Sequence, residues 1–194
     1  KVYKVKLPTN ASMNLVVDPQ GLTALQDGKD VSASDLSGNA GLITTAAPIY
    51  AANLSSVPMK ISVTMKVDGD VNVVTDEESV STNTANNILL YAVPSKVDTQ
   101  GSTDSGFVPS TIGIVIKDTE VTADFVLDAA DYVFHKEGNA VTYDLKEGGN
   151  KHGTALKFEG KVNTKADWSS FTKTEDPDTI NWEAVFEFEE LKTE

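Results

Sequence analysis

The chain has 194 residues, 40% of them hydrophobic, with no Cys and a formal net charge of −13 at pH 7. That composition excludes a disordered chain and any disulfide, thiolate metal site or Cys nucleophile. The acidity argues against nucleic acid and anionic membrane surfaces as partners, and all sixteen basic residues are Lys, which removes bidentate Arg recognition of phosphate.

Lys1–Leu7 alternates, with Tyr3, Val5 and Leu7 on one face and Lys4 and Lys6 on the other, as a strand with one apolar side does. Pro8-Thr9-Asn10 breaks it. Met13–Val17 is a second short strand, stopped by the turn residues Asp18-Pro19-Gln20-Gly21. Residues 21–41 are rich in Gly, Ser and Asp and predict a long loop with a helical turn near Leu22–Leu25. Leu42–Thr45 and Ile49–Leu54 are predicted strands. They lead into Val57–Val67, the clearest element of the chain. There Ile61, Val63, Met65 and Val67 form one row and Lys60, Ser62, Thr64 and Lys66 the other. One dry and one wet face is the pattern of an antiparallel sheet packed on a core from one side.

Asp68-Gly69-Asp70 predicts a hairpin turn with Val71–Val74 as its return strand. Thr75–Asn87 is polar and predicts loop with a short helix. Ile88–Val93 is apolar on both faces and belongs at the centre of a sandwich. Pro94–Pro109 predicts a loop, followed by strands at Thr111–Ile116 and Val121–Leu127. Tyr132–His135 and Ala140–Leu145 flank the turn Lys136-Glu137-Gly138-Asn139. Thr154–Val162 is a strand with Leu156, Phe158, Gly160 and Val162 in phase. Asn163–Thr179 is a loop anchored by Trp168 and Phe171. Asn181–Leu191 closes the chain, with Trp182, Ala184, Phe186 and Phe188 on one face and Glu183, Glu187 and Glu189 on the other. About ten to twelve short strands at this spacing, with no sustained helical period, predict an all-β, jelly-roll-like antiparallel β-sandwich with long loops. A single domain spanning residues 1–194 is expected. The expected core is Ile61, Val63, Met65, Ile88, Leu90, Ile114, Phe125, Leu156, Phe158, Phe186 and Phe188.

No motif carries catalysis. His135 and His152 lack a His-Glu-x-x-His frame for zinc, and no Gly-x-Ser-x-Gly elbow or Gly-rich phosphate loop is present. Asp68, Asp70, Asp76, Glu77 and Glu78 gather hard oxygen ligands that suit a structural calcium, but not at EF-hand spacing. Clusters of this kind are expected in so acidic a chain. Trp168 and Trp182 suit a sugar platform, while aromatic residues at period two more often form core. Asn10-Ala11-Ser12 and Asn53-Leu54-Ser55 fit the glycosylation sequon. The chain starts at Lys1 with no charged segment leading into an apolar run, and no run reaches membrane-spanning length. A mature exported form or a trimmed chain is expected.

The segment Ala51-Ala52-Asn53-Leu54-Ser55-Ser56-Val57-Pro58-Met59-Lys60-Ile61-Ser62-Val63, with the short N-terminal strand, resembles the TasA/camelysin group of exported Gram-positive proteins. The likeness is one of pattern, clearest in the first half of the chain. It implies a jelly-roll-like sandwich, secretion to the cell surface, and self-assembly into biofilm matrix fibres. Camelysin is classed as a metallopeptidase, but no zincin motif is present here to carry that activity, and no enzyme function or cofactor is expected. The leading expectation is a structural subunit of an extracellular filament that partners itself through Tyr3, Val5 and Leu7. Lys1–Leu7 would then either lie in its own sheet or complete the sheet of a neighbour. The alternative from another class is a monomeric cell-surface adhesin or carbohydrate-binding module with glycan or cell-wall partners.

Overall fold

The computed structural model describes residues 1–8, 15–21, 40–45, 48–98, 113–146 and 152–192. The fold is all-β, and its strands pair antiparallel except for the two-residue β6. Its strands are β1 (Val5–Lys6), β2 (Leu15–Asp18), β3 (Leu42–Thr45), β4 (Ile49–Asn53), β5 (Met59–Gly69), β6 (Asn72–Val73), β7 (Asn87–Asp98), β8 (Ile114–Ile116), β9 (Val121–Leu127), β10 (Tyr132–Glu137), β11 (Ala140–Leu145), β12 (His152–Val162) and β13 (Ile180–Glu190). A short helix, α1 (Glu77–Val80), starts on an Asp76 cap whose carboxylate accepts from the Ser79 N–H at 2.8 Å.

The larger sheet is built around β12, which pairs along its whole length with β7. Its other edge is divided: residues 152–156 pair with β4 and residues 159–161 with β3. β1 lies outside β4, and β2 outside β3. A strand with two partners along one edge makes the sheet curl into a half barrel. The smaller sheet has the order β13-β5-β9. The two sheets close over one core, in which Ile61, Val63, Met65 and Val67 of β5 meet Ile88, Leu90, Leu156 and Phe158 of the larger sheet. All of these are 0–1% exposed, as the alternation in β5 predicts. In Ile88–Val93 the outer row is largely buried as well: Leu89 and Val93 are covered while Tyr91 is half-buried, and α1 packs on the same strand. Ile114, Phe125, Phe186 and Phe188 pack on the core but are only half-buried. They sit on strands at the margins of their sheets, where cover comes from one side only.

Two sequence expectations are corrected. Val71–Val74 is not the return strand of a hairpin with β5: β6 instead pairs in parallel with β7. Both edges of β5 are taken by longer strands, β13 over eleven residues and β9 over seven, so no edge is left for a two-residue strand. Asp70 joins β13 instead, its N–H reaching the Thr179 carbonyl at 2.8 Å. Likewise the chain does not leave the sheet at Pro94: β7 runs on to Asp98 opposite β12. Among the described residues β8 pairs with residues 90–92 only, so on that side of β7 no described strand pairs with Pro94, which has no N–H to give. The expected helical turn at Leu22–Leu25 and most of the loop at 94–109 fall outside the described residues.

Candidate functional site

The N-terminal segment, the loop after β4 and the base of the β10–β11 hairpin meet at one place. The loop Asn53-Leu54-Ser55-Ser56 holds all three. Asn53 is fully buried, and its Oδ1 accepts the Ser55 N–H at 2.8 Å, closing an Asx turn. Its amide nitrogen donates to the Val57 and Asp128 carbonyls, both at 2.9 Å. That use of the side chain makes Asn53-Leu54-Ser55 a structural element, with the Asn amide occupied inside the fold. Ser55, also fully buried, accepts the Lys4 N–H at 2.9 Å through its Oγ and donates to the Lys4 carbonyl at 3.0 Å. Ser56 Oγ accepts the Val2 N–H at 2.8 Å. On the other side the Ser55 carbonyl accepts the Ala130 N–H, and the Tyr132 hydroxyl donates to the Leu54 carbonyl at 2.6 Å.

The segment Val2–Lys6 therefore lies in its own sheet, with β1 paired to β4 through Val5↔Asn53 and Lys6↔Ala52. Val2 is its buried residue, and Lys6 places its ammonium 5.1 Å from the centre of the Tyr50 ring. Tyr3, Val5 and Leu7 occupy the opposite row and are 59%, 37% and 52% exposed. Because Val5 opposes Asn53, this row points to the same side of the sheet as the core. It projects past the end of the smaller sheet, which meets it at Glu190. That carboxylate, on the last residue of β13, accepts from the Lys1 ammonium and, at 2.5 Å, from the Tyr3 hydroxyl. The bonds from Lys1 and then Tyr3 hold the Glu190 carboxyl below its ordinary value, and the same carboxylate pushes Lys1 and Tyr3 up.

β13 runs from this clamp as one edge of the smaller sheet, and among the described residues its ladder partner is β5 alone. Its inward residues are half-buried and its outward residues exposed along the whole strand. The β10–β11 hairpin turns at Gly138, whose φ of +60° suits the first central position of a type II′ turn. Tyr132, Phe134 and Tyr143 cluster on one of its faces with ring centroids 5.7–6.4 Å apart, and Phe134 and Tyr143 are more than half exposed.

The other sequence candidates are dispersed. His135 is on β10, 3.9 Å from Asp144. Of the acidic run, Asp68 pairs with Lys66, Asp70 accepts from the Thr179 N–H, Asp76 caps α1 and Glu77 pairs with Lys161. Among the described residues no group of three or more His, Asp or Glu is arranged to hold a metal. Trp168 packs at a tilt against Phe171 with ring centroids 5.1 Å apart, and Trp182 against Phe158 at 4.6 Å, so both pack on the core and do not form a shared platform. An open cleft of about 470 Å³ lies on the outer face of the larger sheet beside Tyr91, between the Lys157–Glu159 and Lys161–Glu77 pairs. Sequence reasoning missed the Ser55–Lys4 and Glu190–Tyr3 contacts; Asn53-Leu54-Ser55 stands out there only as a glycosylation sequon, although Asn-x-Ser is also an Asx-turn signal. Comparison of the chain with protein-family models, curated proteins and solved structures finds no match in any of the three.

Proposed function

We propose that the chain is a structural subunit of an extracellular filament or matrix fibre, assembling with copies of itself by exchange of its N-terminal strand. One observation carries this reading. A segment at the margin of the larger sheet, tied down by a few hydrogen bonds to Leu54, Ser55 and Ser56, leaves the apolar row Tyr3, Val5 and Leu7 in water. The row faces the core side of its sheet but is left uncovered there, and it gains cover only from another surface. A strand that moves to a neighbour makes a head-to-tail contact, which propagates as an open filament. The acidic, Cys-free composition and the resemblance of the Ala51–Val63 segment support the extracellular setting. The test is negative-stain microscopy of concentrated protein with and without Lys1–Leu7. Fibres are expected from the full chain and none from the truncated one; a full chain that stays monomeric at high concentration overturns the reading.

A second reading, a monomeric adhesin or carbohydrate-binding module, is favoured by the exposed Phe134–Tyr143 pair on the hairpin. A glycan array discriminates it: ligand binding by monomer, lost in Phe134→Ala and Tyr143→Ala, supports this second reading over the first.

A further inference from the structure

The filament reading leaves open which surface of a neighbour receives the exchanged strand. We infer that the acceptor is the outer edge of β13, unpaired among the described residues, along which the N-terminal strand of a second copy pairs as a fourth strand of the smaller sheet. This rests on the filament reading and adds the receiving site to it.

Three observations converge on that edge. The first is pattern. The even-numbered residues of β13, among them Trp182, Phe186 and Phe188, face the core yet remain half-buried, whereas the equivalent row of β5 is completely covered. A strand laid beside β13 with Tyr3, Val5 and Leu7 turned inward extends this aromatic row and covers both. The second is charge. With that row inward, Lys4 and Lys6 fall on the outer face, beside Glu183, Glu187 and Glu189 of β13. Lys60 on β5 pairs with Glu189 from the opposite side at 3.4 Å, so the same cross-strand pairing is already made once in this sheet. The third is length: β13 has eleven residues, so the stretch Lys1–Leu7 fits along its edge.

The competing acceptor is the position beside β4 that the strand already occupies in its own chain. Exchange into that place repeats the existing contacts and leaves Tyr3, Val5 and Leu7 as exposed as before. Movement to β13 gives up the Val2 burial, the Ser55 bonds, the pairing with β4 and the Lys1 and Tyr3 bonds to Glu190 of its own chain, but covers three large side chains and matches lysines to glutamates.

The chain has no Cys, so single introduced thiols report contacts without background. Lys4→Cys chains are mixed with chains carrying Glu183→Cys or Glu187→Cys on β13, Asp124→Cys on β9, or Leu54→Cys beside the original position. Each mixture is assembled, imaged and oxidised. The expected result is inter-chain dimer from the β13 thiols, at least tenfold above the β9 and Leu54 thiols. A charge exchange gives a second readout. Lys4→Glu with Lys6→Glu should raise the concentration needed for assembly about tenfold or more, and Glu183→Lys with Glu187→Lys in the same chain should restore it. Fibres that cross-link through Leu54→Cys or Asp124→Cys and not through β13 overturn the acceptor while leaving the filament reading intact. A chain that forms neither fibres nor cross-links overturns both.

Discussion

Ser55 Oγ forms two hydrogen bonds to one residue fifty-one positions away, accepting the Lys4 N–H at 2.9 Å and donating to the Lys4 carbonyl at 3.0 Å. A single buried hydroxyl thus substitutes for a rung of sheet pairing just where the ladder between β1 and β4 stops. Its neighbours, the N–H groups of Leu54 and Ser56, continue the same job by donating to the Lys4 and Val2 carbonyls at 2.9 Å. The N-terminal strand is fastened by this loop more than by its two paired residues.

Ser55→Ala removes both bonds and is expected to cost about 1 kcal/mol, felt locally. Hydrogen exchange at the amides of Val2, Lys4 and Lys6 should quicken while the β5 and β12 amides keep their protection. In the filament reading the same variant should assemble with a shorter lag, since its strand leaves more readily. Unchanged protection at Lys4 would show that Ser55 does not hold the strand.

Val63 is fully buried between β9 and β13, opposite Ala123 and Phe186. Val63→Asp places a carboxylate there with no cation beside it, a loss of about 4 kcal/mol or more. Thermal melting followed by circular dichroism should show an unfolded or strongly destabilised protein. A soluble variant melting like the parent would mean that the faces of β5 are misassigned.

Gly160 lies in β12 where a Cβ would come within 2.1 Å of the Leu89 carbonyl oxygen. That atom belongs to the backbone of β7 and cannot turn aside as a side chain would. Gly160→Ala should therefore push the two central strands apart, at a cost of about 1–3 kcal/mol or more. The check is the urea midpoint against Ala155→Gly, a substitution that needs no strand movement. A Gly160→Ala midpoint equal to that of the parent would contradict this packing.

The strands with a clean period of two were legible because sidedness is written locally: β5 and β13 alternate along their length, and the structure gives each the predicted inward row. Seating was not legible. Val71–Val74 had a good turn before it, yet the partner edge was already filled by residues more than one hundred positions away in β13. The first strand shows the same limit. Tyr3, Val5 and Leu7 form its apolar row in the sequence, but cover depends on where the opposing sheet ends, and here Val2 on the other row is the buried residue. Asn53 and Ser55 stood out in the sequence only as a glycosylation sequon, and nothing local said that they would form a turn holding Lys4 on one side and Ala130 on the other.

Glu190 clamps the start of the chain through Lys1 and Tyr3, and its titration sets the range of pH over which the clamp holds. The groups facing it are the Lys1 ammonium, the Tyr3 hydroxyl and, at longer range, Lys192. The bonds from Lys1 and Tyr3 lower the Glu190 carboxyl from its ordinary 4.5, so its contribution is complete above that value and is lost as pH falls through the lowered one. Lys1 and Tyr3 are raised from 10.5 and 10.0, so theirs is complete below those values and is lost as pH rises through the raised ones. The clamp is therefore whole between the carboxylate range and about pH 10 and opens on either side. All three groups are exposed, so salt weakens it as well. Protection factors at the Val2 and Lys4 amides should fall in acid below the carboxylate range, and Glu190→Gln should show reduced protection at neutral pH with little further change on acidification. In the filament reading, acid should also shorten the lag before fibres appear in the parent and have a smaller effect in Glu190→Gln. Protection at Val2 and Lys4 that is the same in acid as at neutral pH, in both proteins, would remove Glu190 as the catch on this strand.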